Sequence, residues 1–105
     1  SNLRSYFIAF LRDPPQDVAM TPEVFRAHQD YMRSQVEAGR YKVMGPLEDN
    51  SEIRGIVILE AATLEAARAL VAGDPAVRGG VFTIEVYPAI LPDLSPVVVQ
   101  YRGNR

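Results

Sequence analysis

Two separate segments of this sequence are apolar on both of the faces that a β-strand presents. From Leu3 to Leu11, Tyr6, Ile8 and Phe10 alternate with Phe7, Ala9 and Leu11, so neither face suits water. A strand of that kind lies between two covering layers. Ile56-Val57-Ile58-Leu59 is apolar throughout and mostly β-branched, which also reads as a buried strand. A chain of 105 residues has room for one domain. Its own helices can cover one side of such a sheet, and the other side needs a second cover. The simplest cover in so short a chain is another copy of the same sheet, packed face to face, so a homodimer is expected.

The remaining elements follow from local signals. Asp13-Pro14-Pro15 stops the first strand, because proline fixes φ and removes a ladder donor. Thr21-Pro22-Glu23 opens a helix with an N-cap, a proline at the first helical position and an acid in the first turn. That helix should run to about Ala38, with Gly39 closing it. Its apolar stripe is Val24, Phe25, His28, Tyr31, Met32, Gln35 and Val36. A short strand from Arg40 to Gly45 and the strand Ile53–Glu60 follow, joined by a polar loop from Glu48 to Glu52. Thr63 caps a second helix from Leu64 to Val71 or Ala72, ended by Gly73-Asp74-Pro75. Gly79-Gly80 turns the chain into a last strand, Val81–Tyr87.

The order β-α-β-β-α-β predicts an α+β, ferredoxin-like domain with an antiparallel sheet. It spans residues 3–88, and residues 89–105 form a C-terminal extension spaced by Pro92 and Pro96. Val97-Val98-Val99 is an extra-strand candidate in a tail from Leu91 to Tyr101 that extends an edge or reaches a partner.

Composition removes most chemistries. The chain has no cysteine, which excludes thiol nucleophiles, disulfides and zinc–thiolate or iron–sulfur sites and agrees with a reducing cytoplasm. One histidine and scattered acids give no metal-ligand spacing. Ser5, Ser34, Ser51 and Ser95 lie outside any nucleophile elbow. The glycines make no phosphate-binding loop. A net charge of −2 with no basic cluster argues against nucleic acid, and no apolar stretch is long enough for a bilayer. The start, Ser1-Asn2-Leu3-Arg4, lacks a signal-peptide hydrophobic stretch, and Ser1-Asn2 reads as a tag scar or a processed end.

That leaves His28, the only side chain here whose ordinary pKa, near ~6.5, lies close to neutrality. It sits mid-stripe, one turn after Val24 and one before Met32. It is either a structural histidine bonded to a carbonyl or an acid/base group held by a carboxylate. Asp30 is two residues away on the same helix and faces elsewhere. Asp17 precedes the helix and could cap it. Asp74 follows the second helix, whose C-terminal turn can approach the first. Asp74 is also suited to a local Asp-Pro turn, and position alone does not choose between the two roles.

Several segments together resemble the YCII-related (YciI-like) family. They are Tyr6-Phe7-Ile8-Ala9-Phe10-Leu11-Arg12-Asp13, His28 in the first helix, Gly39-Arg40-Tyr41-Lys42-Val43-Met44-Gly45-Pro46-Leu47, Thr63–Leu70, and Asp74-Pro75-Ala76-Val77-Arg78-Gly79-Gly80-Val81-Phe82. The resemblance covers residues 3 to about 88. It implies a dimeric α/β barrel and an active-site pair of a helix histidine with the Asp-Pro aspartate, here His28 and Asp74. One branch of the family resembles dehydrochlorinases of chlorinated hydroxyquinones. The expectation is a small enzyme without a cofactor, using His28 and Asp74 for lyase or isomerase chemistry on a small, aromatic or enolisable substrate. The alternatives are a dimeric ligand-binding module in which His28 is structural, and a monooxygenase that is cofactor-free or uses His28 as an axial haem ligand.

Overall fold

The computed structural model describes residues 2–49 and 52–100. Ser1, Ser51 and Tyr101, which enter the expectations above, lie outside the described residues. The elements are β1 (Leu3–Arg12), α1 (Pro22–Glu37), β2 (Tyr41–Pro46), β3 (Ile53–Leu59), α2 (Leu64–Ala72), α3 (Pro75–Arg78) and β4 (Thr83–Pro92). The strands form one antiparallel sheet in the order β2-β3-β1-β4. This is the ferredoxin-like α+β arrangement, with β1 and β3 in the middle where their two-sided apolar pattern places them.

Helix ends form where the sequence signals them. The Thr21 hydroxyl accepts from the Val24 amide at 3.2 Å, and Thr63 accepts from the Ala66 amide at 3.0 Å. Gly39 follows the α1 cap at φ +78°, a conformation that a side chain disfavours.

Register shows how the two faces differ. One row across the sheet is Met44–Val57–Ala9–Val86, and it faces the helices. Ala9, Val57 and Val86 are buried there with Leu11, Tyr41, Leu59, Ala67 and Val71 in a single core. The neighbouring row, Val43–Ile58–Ile8–Tyr87, points the other way. None of the described helices lies over it, and Tyr87 is 49% exposed. Phe10 and Tyr87 meet edge to face on that side, with ring centroids 6.0 Å apart.

Three features differ from the sequence expectation. The segment Asp74-Pro75 does more than end α2: it starts α3, using the same cap-then-proline order as Thr21-Pro22. The last strand runs from Thr83 to Pro92, where Val81–Tyr87 is expected. Pro88 and Pro92 are tolerated because β4 is an edge strand, where a missing donor need not break a ladder. Val97-Val98-Val99 forms no strand among the described residues. The tail instead turns over the end of the sheet, where the Leu94 amide donates to the Tyr6 hydroxyl at 2.7 Å. No helix among the described residues is long and apolar enough to cross a membrane.

Candidate functional site

The two helices lie side by side on one sheet face, and the short α3 turns the chain back against α1. That turn brings together two residues 46 positions apart. His28 Nδ1 lies 2.6 Å from Asp74 Oδ2. Both are inside the protein, His28 at 8% exposure and Asp74 at 2%.

Asp74 serves both of the roles considered from sequence, one with each oxygen. Its Oδ1 accepts from the Ala76 amide at 2.8 Å and caps α3, while Oδ2 faces the imidazole. A carboxylate that accepts on both oxygens leaves Nδ1 of His28 as the donor. Beside an ionised carboxylate the favoured neutral imidazole is the one protonated on Nδ1, and its acceptor is then Nε2. Such a buried pair stands only because each partner answers the other: removing one strands an uncompensated polar group.

Two further residues hold this corner. Tyr31 lies one turn beyond His28 on α1 and donates its hydroxyl to the Leu70 carbonyl at the end of α2. Burial raises the Tyr31 pKa, and the negative Asp74 adds to the effect while Arg40 opposes it. A Cβ at Gly73 would come within 2.6 Å of the Tyr31 hydroxyl oxygen. Glycine at 73 therefore lets Tyr31 close on α2 directly before Asp74. The stripe spacing placed Tyr31 on the right face, but no sequence signal tied it to Gly73.

The other aspartates do not join the pair. Asp30 is exposed and faces Arg33, and Asp17 is exposed in the loop before α1, where Thr21 provides the cap. The His28 ring packs edge to face with Phe82 at a centroid distance of 5.9 Å.

His28 lines a cleft of about 290 Å³ between α1 and the sheet. Leu11, Met32 and Val57 contribute apolar walls, and Met20, Phe25 and Phe82 close its sides. Beside them stand the polar side chains of His28, Gln29 and Arg54. A wider outer recess of about 680 Å³, bounded by the loop Asp13–Met20, adjoins it through Met20, Phe25, Arg54 and Phe82.

Arg54 reaches this place because the β1–β3 register slips. Leu11 pairs with Gly55 and Arg12 with Ile53, so Arg54 is the extra residue of a bulge. Among the described residues, no group of histidines and acids is arranged to hold a metal ion.

The YCII-related domain model matches residues 6–90. The chain belongs to that family. Comparison with curated proteins gives no significant match. Among solved structures, the fold is similar to 5-chloro-2-hydroxyhydroquinone dehydrochlorinase (TftG) from Burkholderia phenoliruptrix AC1100 in complex with 2,5-dihydroxybenzoquinone. The TM-score is 0.60 at 22% identity, over 78% of this chain and 90% of that one. At that identity the likeness concerns the fold.

Proposed function

We propose that this protein is a small enzyme in which His28, held by Asp74, moves a proton to or from a small aromatic or enolisable substrate in the cleft. The observation that carries the reading is the buried 2.6 Å contact beside an apolar cavity. A general base needs a fixed tautomer and a free nitrogen within reach of substrate, and Asp74 supplies the first while leaving the second. The imidazolium formed by proton uptake is stabilised by the same carboxylate.

The cleft volume of about 290 Å³ lies at the small end of ligand pockets, which suits one substituted ring. The reaction class is lyase or isomerase, since proton movement is the chemistry this pair provides. The structural relative adds a concrete first substrate, because its name states loss of chloride from a hydroxylated ring. In such an elimination a proton leaves to His28 Nε2 and chloride departs with the bonding pair of the C–Cl bond.

The bare outer face of the sheet is, in this reading, covered by a second copy of the chain. Val43, Ile58, Ile8 and Tyr87 form an apolar row across all four strands, and pairing two such rows removes both from water.

The enzymatic reading is tested by chloride release from 5-chloro-2-hydroxyhydroquinone and from a panel of related halogenated hydroxylated rings. The expected result is turnover by the native protein and a loss of about 10²–10⁴-fold in His28→Ala, measured below its melting transition, which stays cooperative but moves to lower temperature because Asp74 loses its partner. Turnover that persists unchanged in His28→Ala contradicts the reading.

A further inference from the structure

The His28–Asp74 pair makes no use of the fixed positive charge at the mouth of the cleft. Arg54 lines both the inner cleft and the outer recess. Its nearest acid is Asp13, with Nε and Oδ1 3.8 Å apart, which is too long for a hydrogen bond. Both side chains are well exposed, at 40% and 46%, and an exposed ion pair of this kind is weak. The guanidinium therefore keeps its planar set of donors available.

The surroundings give that charge a direction. No carboxylate is among the described residues that line the inner cleft, whereas Asp13 and Asp17 line only the outer recess. A cation and an imidazole facing an apolar, acid-free space favour a ligand with an apolar body and a negatively charged oxygen. The bulge is the device that brings Arg54 there. Beside it, a Cβ at Gly55 would lie 3.2 Å from the Gly45 carbonyl oxygen, so glycine lets β2 and β3 approach closely next to the bulge.

We propose that Arg54 is the anchoring residue for an anionic oxygen on the ligand ring, a phenolate, enolate or carboxylate, and that the ligand displaces Asp13 from it. The inference rests on the reading of the cleft as a site for a small aromatic molecule. Asp13 is the nearest counter-ion of Arg54 and would compete with such a ligand. Ligand binding exchanges a loose contact for charge-assisted hydrogen bonds, with a geometry that the guanidinium fork matches to two oxygens.

The test compares two quinones on the same ring, one anionic and one neutral and larger by two methyl groups, by calorimetric titration at neutral pH. They are 2,5-dihydroxybenzoquinone, which is acidic and ionises, and its neutral dimethyl ether. The native protein is expected to bind the anion about tenfold or more tightly than the ether, with the preference shrinking as salt is raised. Arg54→Met should abolish the preference and leave ether binding in place, and Arg54→Lys should retain part of it. Asp13→Asn should tighten anion binding severalfold by removing the competitor.

Equal binding of the two probes by the native protein, or a preference that survives in Arg54→Met, overturns the role of Arg54 while the aromatic reading stands. If neither probe binds the native protein, both the inference and the aromatic reading beneath it fail.

Discussion

Two adjacent rows of one sheet meet opposite fates. Met44–Val57–Ala9–Val86 lies under the helices, with Val57 at 2% exposure and Ala9 at 0%. Val43–Ile58–Ile8–Tyr87 lies on the far side with its centre uncovered. The strands supply apolar residues to both rows, so the difference comes from topology: both crossovers pass over the same face. That face is where the chain completes its own core and where the turn after α2 places Asp74 against His28. The far face has the composition of a core and no helix over it among the described residues. In the proposed reading the first face carries the chemistry and the second carries assembly.

The contrast is broken most strongly by comparing Leu59→Ala with Ile58→Lys. Leu59 is fully buried under the helices, so its truncation should cost about 2–5 kcal/mol at every protein concentration. Ile58→Lys should instead convert a dimer to a monomer by sedimentation, and only the native protein should gain stability with concentration. A native chain that sediments as a monomer at high concentration removes the second copy from the account.

A smaller effect is expected at the corner that holds the pair. Gly73 has φ −74°, a helical value that alanine accepts, so Gly73→Ala should act mainly through the Tyr31 hydroxyl at 2.6 Å, with the Leu70 carbonyl oxygen at 3.3 Å a lesser contact. The expected loss is about 1–3 kcal/mol, with a matching decline in ligand binding. Adding Tyr31→Phe removes the obstructing oxygen and should recover part of the loss in a double-mutant cycle. Strictly additive effects would separate the two residues.

The smallest effect concerns alkaline pH. Burial strongly raises the Tyr41 pKa above its ordinary 10.0, and the neighbouring Tyr31 and Asp74 add to it. The folded state therefore keeps a proton that the unfolded chain releases. The contribution is complete below pH 10 and is lost as pH rises beyond it, at up to about 1.4 kcal/mol per pH unit. Tyr41→Phe should flatten that limb of the stability curve, and an unchanged slope would place the alkaline sensitivity elsewhere.

Much of this architecture was legible in the residues. Alternation exposed β1, the Thr21-Pro22 grammar fixed α1, and the scarcity of histidine directed attention to one position with one credible carboxylate. What escaped depended on pairing partners. Pro88 looked like the end of a strand because sequence does not reveal that β4 is an edge. Arg54 carries no signal of its own in the sequence, because a bulge exists only once β1 and β3 are in register. Asp74 seemed to demand a choice between turn and partner, although its two oxygens divide the work.

A chain with one histidine offers an unusually direct probe, since every imidazole signal in proton–nitrogen NMR belongs to His28. The measurement is the tautomer of neutral His28 in the native protein and in Asp74→Asn, with and without 2,5-dihydroxybenzoquinone. The account predicts a protonated Nδ1 in the native protein, a ligand-induced shift confined mainly to Nε2, and loss of the fixed tautomer in Asp74→Asn. A native His28 protonated on Nε2, or one whose nitrogens ignore both the ligand and the Asp74 substitution, would contradict it.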